Sequence, residues 1–278
     1  MEKLELLRYE FIFHWAAVIL YIFATISFAY AVFFQKEKKL DWGMRLSGLG
    51  LIPHSVALGL RWYVSGHGPY LSQHEGFSSI VWVVVVMFLI FVYRVPRLKG
   101  VGLIVMPSCF LMMAVAFYKT PGIESLPATF SGIWLVLHIT FTKLALGAML
   151  IALGTSIFYV LKEKKGEFGF YQRLPDLPAL DTYSYKFAGF GFVFWTITVV
   201  AGAIWANEAW GRYWAWDPIE TWSLITWLLF GLHLHLRRFL GWRGRKAAYL
   251  MVVCFLFSIA ALFVIPFILP TIHSEFFL

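Results

Sequence analysis

Ile133-Trp-Leu-Val-Leu-His-Ile-Thr-Phe-Thr-Lys-Leu-Ala-Leu-Gly-Ala-Met-Leu-Ile-Ala-Leu-Gly-Thr-Ser-Ile-Phe-Tyr-Val-Leu161 contains a single charged residue, Lys143. A helix needs about 20 apolar residues to cross a bilayer, and this stretch exceeds that. It is too long and too continuously apolar for a barrel strand, which alternates its faces over about 10 residues. Seven further runs of the same character lie at 11–34, 42–64, 77–93, 101–118, 188–205, 221–237 and 247–269. The expected fold class is therefore all-α, a polytopic membrane helix bundle of about eight transmembrane helices. The expected domain organisation is one integral membrane domain over 1–278.

Composition supports this reading. Hydrophobic residues make up 60% of the chain and charged residues 14%, whereas soluble domains carry roughly 25% charged residues. The first run does not read as a cleaved signal peptide. Lys3 and Arg8 are offset by Glu2, Glu5 and Glu10, the apolar stretch is too long, and no small-residue cleavage site follows.

Basic residues set the expected orientation. Lys36, Lys38, Lys39 and Arg45 follow the first span, and Arg94, Arg97 and Lys99 the third. Lys162, Lys164, Lys165, Arg173 and Lys186 follow the fifth, and Arg237, Arg238, Arg243, Arg245 and Lys246 the seventh. The opposite side holds only Lys3, Arg8, Arg61, Lys119 and Arg212. Both termini are expected outside, with the four basic loops in the cytoplasm. The net charge of +8 is thus a topology signal with some attraction to anionic lipid, and needs no nucleic-acid partner. Cys109 and Cys254 lie in separate spans without a CxxC pair and read as small core residues.

The longest cytoplasmic loop is expected at about 162–187, as a connector on the membrane surface. Outside lie loops at 65–76, 119–132 and 206–220 and a tail at 270–278. The third of these is the most informative. Trp205-Ala-Asn-Glu-Ala-Trp210-Gly-Arg-Tyr-Trp214-Ala-Trp216-Asp217-Pro218-Ile-Glu220-Thr-Trp222 holds five of the chain's 13 tryptophans. An interfacial aromatic belt is one reading. A belt, however, spreads over all helix ends and requires none of Asn207, Glu208, Arg212 or Asp217. Dense flat rings with a few polar anchors suit a flat aromatic ligand. Asp217 also fits the N-cap of the seventh helix, with Pro218 at the first helical position and Glu220 completing a capping box. Arg212 is a cation on the side where basic residues are rare. It suits either a carboxylate of the ligand or a lipid phosphate.

Trp210-Gly-Arg-Tyr-Trp-Ala-Trp-Asp-Pro-Ile-Glu-Thr-Trp222 resembles the tryptophan-rich WWD signature of haem-handling membrane proteins. Within that superfamily it is most similar to the CcsA (ResC) type, through the ending Trp-Asp-Pro-x-Glu-Thr-Trp. The resemblance implies a haem-binding subunit of a membrane cytochrome c synthase. It implies haem b as substrate and bound ligand, apocytochrome c and a CcsB/ResB-like membrane subunit as partners, and a multi-pass location in the cell inner membrane. The haem-presenting loop would face the periplasmic or extracytoplasmic side. The alternative is a haem transporter or chaperone, or a HemX-like membrane regulator, without ligation activity.

The resemblance also assigns histidines. His138, at the start of the fifth span, and His273, in Thr271-Ile-His-Ser274, match the outer pair that brackets the haem. His235, in Leu234-His-Leu-Arg237, matches an inner haem ligand, against the simpler reading of a polar residue reaching the cytoplasmic interface. Trp205, Trp210, Trp214, Trp216, Trp222, Asp217 and Arg212 complete the expected site. His233 falls on a different helix face. Gly66-His67-Gly-Pro69 and His74-Glu75 stand where the family shows Gly-His-Phe-Pro and Tyr-Glu. His74 reads here as a solvated loop residue, with an extra ligand as the alternative, His54 as core-bonded and His14 as interfacial. No residue of the chain is required as a nucleophile, and Lys143 has no assigned role.

Overall fold

The computed structural model of the chain describes residues 2–117, 122, 128–130 and 132–272. Eight long helices occupy the eight expected spans among these residues: α1 (Glu2–Phe33), α2 (Lys38–Ser65), α3 (Gln73–Arg94), α4 (Gly102–Ala116), α5 (Ile133–Lys165), α6 (Leu177–Trp210), α7 (Pro218–Phe239) and α8 (Arg245–Ile259). A π-helical turn, Ala260–Val264, continues α8 into the short α9 (Ile265–Ile268). No strand occurs among the described residues. The chain is an all-α polytopic membrane protein.

Six of the helices are long and apolar enough to cross a membrane. The exceptions, α2 and α7, have 28 and 22 residues and so are long enough, but both carry polar side chains. Ser47, His54 and Arg61 of α2, and Thr226 and His233 of α7, are buried within their own units. These helices keep polar groups away from lipid by turning them inward.

Two expected loops are shorter than the sequence pattern suggests. The 162–187 connector shrinks because α5 continues to Lys165 and α6 begins at Leu177. Asp176 caps α6 by accepting from the Ala179 amide. At its other end α6 continues past 205 to Trp210 and stops at Gly211, whose φ of 73° ends the helix. Trp205, Asn207, Glu208 and Trp210 are therefore helical, and the connecting loop is only 211–217.

The helices form two compact units. One holds residues 1–125 and 167–175, the other residues 126–166 and 176–278. In the first unit, aromatic rings of α1 seat in glycine notches. A Cβ at Gly50 would lie 2.5 Å from the Tyr21 ring, and one at Gly43 2.8 Å from Phe28. The same Phe28 ring closes on Gly102 of α4. Phe170, from the connector, fills the corresponding notch at Gly100.

In the second unit, α5 presents a buried run of small residues including Ala145, Gly147, Ala148, Ala152 and Gly154. Such residues let helix backbones approach closely where no hydrophobic force acts between helices. Met149 of α5 packs into Gly191 of α6, and Ser156 hydrogen-bonds Ser184 across the pair at 2.7 Å. Cys109 and Cys254 are free and buried, as expected of core residues.

Candidate functional site at the Trp-rich end of the second unit

The Trp-rich segment links α6 to α7. Asp217 caps α7, and its Oδ1 accepts the Ile219 amide at 2.9 Å. Glu220 closes the reciprocal box, its Oε2 accepting the amides of Asp217 (3.2 Å) and Ala215 (2.8 Å). This confirms the cap read from Asp-Pro-x-Glu. What the sequence hid is the second carboxylate oxygen. Asp217 Oδ2 accepts the backbone amide of Ile272 at 2.9 Å, tying the chain just before His273 to the start of α7. His273 itself lies outside the described residues. Thr271, beside it, is buried.

His138, on the first turns of α5, packs beside α6. Its Nδ1 pairs with the Thr198 carbonyl at 2.9 Å, and since a carbonyl only accepts, Nδ1 carries the proton. In the neutral ring that puts the lone pair on Nε2, the tautomer an imidazole needs to ligate a metal through Nε2. Gly202 makes the room, because a Cβ there would lie 2.5 Å from His138 Nδ1. The imidazole stacks with Trp205 at 6.3 Å between centroids and 24° between planes. Trp205 in turn meets Trp210 edge to face at 4.8 Å and donates from Nε1 to the Thr129 carbonyl at 2.9 Å. The structure thus joins His138, Trp205 and Trp210 into one aromatic assembly. Trp205 is buried and serves as the backing of that assembly.

The remaining tryptophans differ from one another. Trp214 and Trp216 meet edge to face at 5.8 Å. Trp214 has a buried indole N–H without a hydrogen-bond partner among the described residues. Trp216 is 69% exposed and has φ of 59°, a conformation that costs a non-glycine residue of order 1–3 kcal/mol. One loop thus combines a strained residue, an unused donor and exposed rings. Arg212 and Tyr213 are exposed beside them. Trp222 stacks on Phe257 of α8, a packing role inside the unit.

His235 lies about 27 Å from Asp217 along α7 at 1.5 Å per residue. It is exposed and packs against Phe239, with ring centroids 4.8 Å apart. His233 is buried, as expected of a residue on another face, and neither ring nitrogen has a partner among the described residues. At the same end is a cavity of about 690 Å3 lined by Tyr159, Asp181, Tyr185, Arg237, Arg238 and Arg243. Arg237 is held bidentate by Asp181 at 2.7 and 2.5 Å, leaving Arg238 and Arg243 to set the positive character of the pocket.

Three histidine readings concern the first unit. His54 is fully buried and hydrogen-bonded, as expected. His74 is buried, not solvated, because α3 begins at Gln73 and the Ser72–Glu75 capping box draws this turn into the core. His14 is buried, not interfacial, facing α3 through Ser78.

Fold and site together define a polytopic helical membrane protein with an aromatic, histidine-bearing end. The family model for the cytochrome C assembly protein matches residues 71–273, which include the whole Trp-rich segment. The chain belongs to this family, and its relatives are of the CcsA type. It is 36% identical to the cytochrome c biogenesis protein CcsA of Chlamydomonas reinhardtii over 77% of this chain and 61% of that protein. It is 30% identical to CcsA of Trieres chinensis over 82% of this chain and 86% of the relative. The fold resembles the solved cytochrome c heme lyase CcmF with a TM-score of 0.73 at 15% identity, covering 97% of this chain and 48% of that chain.

Proposed function

We propose that the chain is the haem-handling subunit of a membrane cytochrome c synthase. In this reading the Trp-rich end holds haem b, as substrate, between His138 and His273. It faces the periplasmic or extracytoplasmic side of the cell inner membrane. The observation that carries the reading is the convergence at one end of the second unit. His138, its Nδ1 held by Thr198, stacks on Trp205, which meets Trp210, and Asp217 anchors the chain one residue before His273.

The residues fit a porphyrin in their chemistry. Imidazole is an axial ligand for haem iron, and exposed rings suit a flat macrocycle. The Trp214 indole N–H and the Arg212 guanidinium are donors for propionates. His235 and Arg238 share a face of α7, three residues apart, and Arg238 lines the basic cavity. That end supports an inner haem site whose further ligand comes from a CcsB/ResB-like subunit.

The task of the protein is then to hold and orient. The Cys-x-x-Cys-His segment of apocytochrome c supplies the thiols. Each sulfur bonds to a vinyl carbon, and the thiol proton ends on the neighbouring carbon. The test is co-expression with the partner subunit and an apocytochrome c. His138→Ala and the triple change of Trp210, Trp214 and Trp216 to Ala should each abolish covalent cytochrome. Unchanged yield in both would sink the reading. Haem retention without any covalent product in the unaltered protein would instead make it a transporter or regulator.

A further inference from the structure

The buried polar core of the first unit contains a second, unrelated constellation. Glu10 and His14 lie one turn apart on α1, and His74 lies on the first turn of α3. One ligand atom from each falls within 4.8 Å of the others. His74 Nε2 is 3.1 Å and His14 Nδ1 3.4 Å from the same carboxylate oxygen, Oε1 of Glu10. All three side chains are buried.

We propose that Glu10, His14 and His74 form a binding site for a first-row transition-metal ion such as zinc. The tautomer of His74 is the first argument. Its Nδ1 meets the Ala116 carbonyl at 3.1 Å, which can only accept, so Nδ1 carries the proton. In the neutral ring, Nε2 then turns a lone pair towards Glu10 Oε1. A lone pair cannot hold that 3.1 Å contact, so the pair needs either a second proton on His74 or a cation between them. His14 is placed similarly, with Nε2 paired to Ser78 Oγ at 2.8 Å and Nδ1 turned to Glu10 Oε1 at 3.4 Å.

The second argument is the outer support. Histidines that ligate metals hold the other ring nitrogen against a carbonyl or another polar group, which fixes ring and tautomer. Ala116 does this for His74. Ser78 holds the ring of His14 in place, and Ser78 is itself held by His54 Nε2 at 3.0 Å, with Tyr21 on the far side of His54.

Charge is the third argument. Arg61 lies 2.8 Å from Glu75 and 3.6 Å from Glu10, and His67 Nδ1 lies 3.9 Å from Glu75. Glu10 and Glu75 thus share one guanidinium, and a bound divalent ion would add positive charge where the carboxylates are in excess. The surroundings also select the size of the guest. Phe117 packs edge-on against both imidazoles, at 5.8 and 5.5 Å, and Trp15 stacks over Phe117. The imidazoles lie 4.8 Å apart and nearly perpendicular, too close together for a porphyrin plane between them.

The test uses the purified full chain in detergent, with zinc as the probe. One zinc per chain should survive gel filtration and a weak chelator. His74→Ala and Glu10→Gln should each weaken zinc binding at least tenfold, and zinc should raise the melting temperature of the unaltered protein only. If the variants do not accumulate, the zinc absorption edge of the unaltered protein decides. Two imidazole nitrogens and a carboxylate oxygen at about 2.0–2.1 Å are expected. No bound zinc, equal binding in the variants, or a shell containing sulfur would overturn the site and leave a hydrogen-bonded cluster satisfied by a proton. None of these outcomes bears on the Trp-rich end.

Discussion

The backbone amide of Ile272 donates to Asp217 Oδ2 at 2.9 Å, while Oδ1 of the same carboxylate caps α7 through Ile219. One side chain thus joins two segments that are far apart in sequence. Capping alone would be satisfied by any small polar residue. The tether needs a second acceptor, so carboxylate, not hydroxyl, is required here.

Substituting Ser at this position separates the two roles. Asp217→Ser keeps a good N-cap, so its stability loss should be that of the lost Ile272 hydrogen bond alone, about 1 kcal/mol. It removes the Ile272 acceptor, so the haem spectrum of the purified protein should shift from six-coordinate towards five-coordinate. Asp217→Ala should show the same spectral change and lose about 1 kcal/mol more stability than the Ser variant in thermal melts, because the cap is lost as well. A Ser variant with an unaltered spectrum would mean that the tether does not position His273.

Gly202 provides an indirect test of His138. A methyl group placed there meets His138 Nδ1 at 2.5 Å, so Gly202→Ala must push the imidazole from the Thr198 carbonyl. Both Gly202→Ala and His138→Ala should lose the axial ligand, seen in the visible spectrum. Added imidazole should restore ligation in His138→Ala, where a space is left, and not in Gly202→Ala, where the ring still fills it. Rescue of both to the same degree would contradict this packing.

Much of this was legible in the residues. Apolar run length located all eight long helices, because each lipid-facing turn must be apolar whatever the tertiary contacts. Asp-Pro-x-Glu announced the cap of α7 because capping is local chemistry. The misplacements share another cause. Trp205 to Trp210 looked like loop because it mixes aromatic and polar residues, yet only Gly211 breaks the helix. His14 and His74 looked interfacial and solvated because each was judged on its own segment. Their burial depends on Ser78, Glu10 and Ala116, partners that no local pattern reveals. The link from Asp217 to Ile272 was hidden for the same reason.

The basic loops predict a sidedness that can be measured directly. Reporter fusions after residues 40, 97, 170 and 243 should report the cytoplasm, and fusions near 70, 125 and 213 the outside. The fusion near 213 is decisive for the proposed chemistry, since apocytochrome c is matured on the outer face. A cytoplasmic signal there would remove the Trp-rich loop from its substrate.

Trp216 offers the sharpest contrast between stability and function. It is 69% exposed with φ of 59°, so its ring gains little from burial while its backbone is strained. Glycine adopts that conformation without a Cβ penalty. Trp216→Gly should therefore leave the fold intact, and relief of strain should offset part or all of the roughly 0.5–1 kcal/mol entropic disadvantage of glycine. Haem retention should fall in the same variant, because the exposed ring and its edge-to-face partner Trp214 form the open part of the aromatic surface. Trp216→Ala separates the two effects, since it loses the ring yet retains the strained Cβ. It should retain as little haem as the Gly variant and melt at or below the temperature of the unaltered protein. If both variants hold haem as tightly as the unaltered protein, the strained conformation of Trp216 serves the turn alone, and the contact surface must be sought on Trp210 and Trp214.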